Sequence, residues 1–311
     1  MTQRKSFGRR STADRVLAGI DLSGKHILVT GCHSGTGFAT AGALAANGAH
    51  VIAAARTHHE AAQACRDIGY HCSPLECDFG DLQSIAAAAE SVRRLQTPLD
   101  GILANSGFAD VAATRACHGV EEQFLVNYLG HFALLSDLAG VVREATGRIV
   151  LVTSRAAGWG GIANGIMFDN LDGRRSDQSG DFHTQSKFAN ALYAKELSRR
   201  LLARGIAVNS VNPGVAHDTG PHQNHGLGRR LARLAALPFR RKPAQAAATI
   251  ALLLASPSVT GITGEYWQDC AIARGNPLLN DDAMATRLWE TSEAALAAYR
   301  ESRAQSLPKA A

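Results

Sequence analysis

No apolar run in this sequence is long enough to cross a bilayer. The longest nearly apolar stretch, AAATIALLLA from Ala246, falls short of the roughly 20 residues a spanning helix needs. The opening MTQRKSFGRRSTADRVLAGIDLSGK is basic but has no apolar segment behind it, so neither a signal peptide nor a membrane span is expected. There is no CxxC pair either. Six cysteines (Cys32, Cys65, Cys72, Cys77, Cys117 and Cys270) are scattered along the chain, a usage that fits reduced thiols in the cytoplasm better than disulfides or structural zinc. No internal repeat and no low-complexity linker divides the chain. Nor does it lack core material, because 46% hydrophobic residues over 311 positions can bury a large interior. The net charge of +5 comes from 32 basic and 27 acidic residues. Its local excess at Arg229, Arg230, Arg233, Arg240, Arg241 and Lys242 reads as a solvated helix face and loop, and no nucleic-acid partner is expected.

What the chain does have is alternation. Short apolar runs, HILVTG near 26, HVIAAAR near 50, LDGILANSG near 99, GRIVLVTS near 147 and IAVNSVNPG near 206, each end in small or polar residues. That is the form of strands buried on both faces of a parallel sheet. Segments such as ATAGALAANGA and LQSIAAAAESVRRL fit the crossover helices between them. The predicted fold class is α/β, a doubly wound parallel sheet of Rossmann type in a single domain. Residues 1–22 read as an N-terminal extension and 23–311 as the domain, with substrate loops near 155–182 and 215–242.

The first strand runs into TGCHSGTGFATAGAL, which places Gly31, Gly35 and Gly37 between strand and helix. Glycines there allow a tight turn and let backbone N–H groups at a helix start approach a pyrophosphate. This TGxxxGxG arrangement resembles the short-chain dehydrogenase/reductase family. Further matches follow in family order: Cys77-Asp78-Phe79, Ala104-Asn105-Ser106-Gly107, VNYLGHF with Asn127, VTSRAAG with Ser154, and Asn212-Pro213-Gly214. The resemblance is most specific to the retinol-dehydrogenase-like branch, through FG..ST...VLAGIDLSGK, QSKFANALYAKELSRRL and GITGEYWQDC, and spans about Phe7 to about Glu293.

The resemblance implies an NAD(P)-binding oxidoreductase. It assigns the coenzyme to Gly31, Gly35 and Gly37, with Asp78 at the adenine, Asn105 and Gly107 beside the adenosine half, and Pro213 and Gly214 over the nicotinamide. Lys187 would hold the nicotinamide ribose. The family's threonine falls five residues past the proline, where this chain has Asp218, so Thr219 is the candidate for that contact. An acidic residue at the end of the second strand would grip the ribose hydroxyls of NAD. This chain has Ala55-Arg56-Thr57 instead. Arg56 can take a 2′-phosphate through a bidentate fork, with His33 and Ser34 assisting, so NADP is expected ahead of NAD. The alternative for Arg56 is an ordinary surface arginine.

The family's proton donor is a tyrosine one helical turn ahead of the lysine, aided by a serine that holds the substrate oxygen and an asparagine that supports a proton-relay water. Asn127, Ser154 and Lys187 match, but YxxSK has become HTQSK, and His183 stands in the tyrosine's place. Tyr70, Tyr128, Tyr193, Tyr266 and Tyr299 all lack a lysine four residues on. A lysine that favours phenolate would disfavour imidazolium, leaving His183 a poor acid and a tolerable base. An imidazole is also shorter than a phenol. Three readings stay open: a base for alcohol oxidation, directly or through water; a non-redox lyase, dehydratase or isomerase reaction on the same scaffold; or an impaired enzyme.

His217, His222 and His225 match no closed zinc spacing, and no metal is expected. Leu227, Leu231 and Leu234 alternate with Arg229, Arg230 and Arg233 as a basic amphipathic segment, read as a lid over the pocket or a membrane contact. With Trp159 and Phe168 available to line the cavity, the expected partner is an apolar or aromatic small molecule. A homo-oligomer is left open.

Overall fold

A computed structural model describes residues 7–69, 71–108, 116–117, 119–158, 162–175, 182–216 and 240–306. After a short helix α1 (Ala13–Leu17), the expected apolar runs form β1 (His26–Thr30), β2 (His50–Ala55), β4 (Gly101–Ala104), β7 (Arg148–Val152) and β8 (Ala207–Asn212). All but the first residue or so of each is buried, which is why they carry no polar alternation. Three strands of this sheet escaped the pattern. β3 (Cys72–Glu76) is half-exposed and contains Pro74, tolerated because the strand lies at the sheet edge. β11 (Tyr266–Gln268) has only three residues and pairs with β12 (Ala271–Ile272), the one antiparallel contact of this sheet among the described residues.

The sheet order is β12-β11-β8-β7-β4-β1-β2-β3. The chain moves outward from β1 to β3, then returns to place β4 on the other side of β1. That reversal opens a crevice at the carboxyl ends of β1 and β4, where ligands settle in open α/β sheets. Helices cover both faces. α2 (Gly35–Ala46), α3 (His58–Ile68) and α4 (Leu82–Arg94) link the first strands. α3 starts at a capping box in which Thr57 Oγ1 accepts from Glu60 N at 3.2 Å and Glu60 Oε2 accepts from Thr57 N at 3.3 Å. A small hairpin, β5 (Ala116–Cys117) and β6 (Val120–Glu121), precedes α5 (Glu122–Phe124), which runs through a π-helical turn, Leu125–Leu129, into α6 (Gly130–Leu138). α7 (Phe182–Arg200) crosses to β8, the short pair β9 (Val215–Ala216) and β10 (Arg240–Arg241) precedes α8 (Pro243–Ala255), and α9 (Asp282–Ser306) ends the described chain.

One core gathers Leu28, Phe124, Phe132, Phe188 and Leu192, the other Val29, Val51, Leu44, Ile250 and Leu253. Ala13, Val16 and Leu17 of α1 are buried in the second, so the segment read as an extension contributes to the core. The span Glu122–Val141 is long and apolar enough to cross a membrane by length and composition, yet most of it is buried within the fold. It outruns the Ala246 stretch because the helix continues through the π turn.

Besides the apolar span Glu122–Val141, which the expected absence of such a run did not foresee, two expectations fail. Cys65 at the end of α3 and Cys72 at the start of β3 form a disulfide, with Cα atoms 5.2 Å apart, where thiols were expected. A helix that returns directly to an adjacent strand brings residues seven apart within bridging distance, and no cysteine spacing announces this. The pairing removes the support that thiols lent to a cytoplasmic location. Arg241, expected on a solvated surface, is buried and ion-paired with Asp269.

Candidate active site

The crevice is built from the ends of β1, β4 and β7 and the start of α7. At the end of β1, Gly31 has φ +66°. A Cβ on Gly37 would lie 2.1 Å from the Gly31 carbonyl oxygen, so only glycine lets the first turn of α2 close on the strand end. Gly35, with φ +56°, differs: a Cβ there would meet nothing within 4 Å, and the open side faces away from the protein's own packing. Ser34 caps α2 without a side-chain bond to the helix, and His33 and Ser34 are exposed. Asn105 Nδ2 donates to Thr30 O at 3.0 Å, and Asn105 N to Thr30 Oγ1 at 2.8 Å. Asn105 therefore ties β4 to β1. Asp78 accepts from Gly80 N at 2.9 Å, holding the turn after β3. Arg56 is 69% exposed and pairs with Glu60 at 3.4 Å.

The second cluster lies around Phe108. Asn127, in the π turn, grips its backbone from both sides: Oδ1 accepts from Phe108 N at 2.8 Å and Nδ2 donates to Phe108 O at 2.9 Å. The π turn breaks the regular helical spacing at the residue whose side chain must reach across. His183, in the first turn of α7, has Nδ1 3.3 Å from the same Phe108 carbonyl. A carbonyl only accepts, so this contact requires the proton on Nδ1 and leaves the Nε2 lone pair outward. The ring is partly exposed, and its pKa lies below the ordinary histidine value, through burial first and the Lys187 charge second. Ser186 Oγ donates to His183 O at 2.8 Å and accepts from Asn127 Nδ2 at 3.1 Å, fastening the turn.

Lys187, one turn on, is 7% exposed. Burial pulls its pKa down to about 8. Among the described residues no hydrogen bond or ion pair holds its ammonium, which stands beside Gly107: a Cβ there would lie 3.0 Å from Nζ and 2.7 Å from Asn127 Oδ1. An ammonium on so enclosed a side chain, without a partner among the described residues, favours a ligand that answers it. Together with the open Gly35 turn, it fits a dinucleotide whose ribose hydroxyls reach Lys187. Ser154 follows β7, and its carbonyl accepts from Tyr266 OH at 3.4 Å. Gly214, φ +80°, bonds through its N–H to Asn212 Oδ1 at 2.9 Å, next to Pro213.

Thr219 lies outside the described residues, as do Trp159, Asp218, the histidines at 217, 222 and 225, Tyr70 and the leucine–arginine segment. Phe168 lines a separate apolar cavity with Leu171 and Leu288, capped by Arg287 at 4.2 Å from its ring. Tyr128 and Tyr193 are wholly buried. Among the described residues no group of three or more His, Cys, Asp or Glu is placed to hold a metal.

Sequence reasoning missed Phe108, whose contribution is main-chain, and His131. The latter is fully buried, with Nδ1 3.1 Å from Asn127 O and Nε2 3.4 Å from Thr30 Oγ1. Asn190 Nδ2 donates to the same Asn127 carbonyl at 2.8 Å, so both its lone pairs are occupied by protein. The clue was available in VNYLGHF, where Asn127 and His131 stand one turn apart. Burial drives the His131 pKa down to about 3. The unfolded chain therefore binds a proton below pH 6.5 that the folded chain refuses, and stability falls with pH through that window. From pH 7.5 to pH 5 we expect a loss of about 2 kcal/mol from this group. Urea unfolding at the two pH values should show it, and His131→Gln should flatten that pH dependence.

Residues 25–166 match the family described as short chain dehydrogenase. The chain is 33% identical over 293 residues to Retinol dehydrogenase 14 of Homo sapiens, an alignment covering 88% of this chain and 86% of that protein. It is 31% identical over 303 residues to Short-chain dehydrogenase TIC 32 B, chloroplastic, of Brassica napus, covering 93% and 94%. Among solved structures, a dehydrogenase/reductase from Sinorhizobium meliloti 1021 aligns with a TM-score of 0.62 at 25% identity, over 81% of this chain and 95% of that one.

Proposed function

This chain belongs to the short-chain dehydrogenase family, and from that premise we propose that it is an NADP-dependent oxidoreductase of retinol-dehydrogenase-like type, acting on an alcohol or ketone carbon of an apolar or aromatic small molecule. Bound NADP supplies the hydride acceptor or donor. The observation that carries the reading is the ammonium of the largely buried Lys187, without a partner among the described residues, one turn from a histidine whose tautomer is held by Phe108.

Ser34 and the open Gly35 turn offer N–H groups to the pyrophosphate, and Arg56 takes the 2′-phosphate. Asp78, Asn105 and Gly107 shape the adenosine side, Pro213 and Gly214 the nicotinamide side, and Lys187 binds the ribose. Ser154 holds the substrate oxygen. His183 accepts its proton at Nε2, because both burial and Lys187 keep the imidazole neutral. A base of that kind suits alcohol oxidation. Asn127 acts through Phe108, whose carbonyl it aims at the histidine.

Incubating the purified protein with NADP and aromatic alcohols, while following reduced-nicotinamide absorbance, tests the reading. Product formation without any nicotinamide change replaces it with a non-redox reaction on the same scaffold. Coenzyme choice has its own check. Arg56→Ala removes a charge-assisted bond to phosphate, so the KM for NADP should rise roughly 10- to 100-fold while that for NAD stays in place.

A further inference from the structure

Four arginines from four distant parts of the chain meet around one cavity. It has a volume of about 370 Å³ and lies at the carboxyl ends of β7, β8 and β11. Arg155 comes from the segment after β7, Arg241 from β10, Arg274 from the segment after β12, and Arg9 from the stretch before α1. Among the described residues the lining includes a single carboxylate, Asp269, and it is paired with Arg241. Arg241 is buried and crosses Gly214 so closely that a Cβ on that glycine would lie 2.6 Å from its Nε. The charge is thus built into the cavity wall and locked to the loop after β8.

Guanidinium groups converging on a concave site are the arrangement that recognises carboxylate or phosphate, through forked pairs of N–H donors. The neutral lining is polar as well, with Asn212, Gln268 and Tyr266. The cavity has the size of a small-molecule pocket. It also adjoins the reaction site, since Tyr266 bonds to the carbonyl of Ser154 and Gly214 belongs to both.

We propose that this cavity binds the anionic end, carboxylate or phosphate, of the small molecule whose alcohol or ketone carbon lies at Ser154 and His183. The inference deepens the dehydrogenase reading and rests on it for the reacting end of the ligand. The substrate is then amphipathic, an apolar or aromatic body with an acid group.

Isothermal titration of the full chain with benzoate, and separately with inorganic phosphate, tests this, each with and without saturating NADP. We expect saturable binding of at least one anion in both conditions, and benzoate against phosphate tells which acid group the cavity takes. In the double variant R155Q/R274Q, at exposed positions where the fold should persist by circular dichroism, that binding should weaken roughly ten-fold or more. Arg56→Gln should leave it unchanged. No saturable binding, equal binding by the double variant, or binding that disappears with NADP or with Arg56→Gln each overturns the proposal. NADPH binding by fluorescence in the same samples keeps the two readings apart. Anion binding without NADPH binding removes the coenzyme reading, and the reverse removes this one.

Discussion

His183→Ala is expected to lower turnover by roughly 10²- to 10⁴-fold, the usual contribution of one placed acid or base, while NADPH binding by fluorescence holds. The pH profile separates this from a packing defect. In the wild-type chain the base works when His183 is neutral, so the acid limb should fall below its ordinary value of about 6.5. The alkaline limb should follow Lys187, whose pKa burial pulls down to about 8. The alanine variant should lose the acid limb and keep the alkaline one. Unchanged turnover would remove His183 from the chemistry. His183→Tyr then distinguishes the remaining readings: gain of ketone reduction with loss of the native reaction marks a repurposed site, gain alone an impaired enzyme, and loss alone a histidine that is the catalyst in its own right.

The second large effect concerns the glycine turn. Gly37→Ala places a methyl group 2.1 Å from the Gly31 carbonyl oxygen and 2.7 Å from Asn105 Nδ2. Neither neighbour is a flexible chain end, because Asn105 ties β4 to β1. The turn must open, at a cost of about 3 kcal/mol or more, and the NADPH fluorescence signal should disappear with it. Gly42→Ala is the control on the same helix. It has ordinary φ and nothing within 4 Å of the added carbon, so it should stabilise the chain by about 0.5–1 kcal/mol. Denaturant midpoints for the two variants should move in opposite directions. A Gly37→Ala protein as stable as the parent would contradict the packing described for this turn.

The expected strands emerged because a strand buried on both faces has only one way to look in sequence, an unbroken apolar run. β3 did not, since an edge strand with a proline and exposed residues lacks that signature. The glycine turn was legible for a related reason: its spacing is local. What stayed hidden depends on contacts between distant segments. Cys65 and Cys72 become partners only once α3 lies beside β3. Phe108 matters through its carbonyl, which any residue would supply. Arg9, Arg155, Arg241 and Arg274 are unremarkable in their own surroundings, and only the fold makes them neighbours. Asn105 shows the converse, for a motif position read as a coenzyme contact spends its amide on Thr30.

The placement of Arg9 bears on how the protein should be handled. A shortened version cut just ahead of β1 would be a natural choice for expression, since the sheet begins there. Such a cut would discard Thr12, the cap of α1, and the three side chains by which that helix is seated on the interior. It would also breach one wall of the arginine-lined cavity. An affinity tag is better attached at the opposite end.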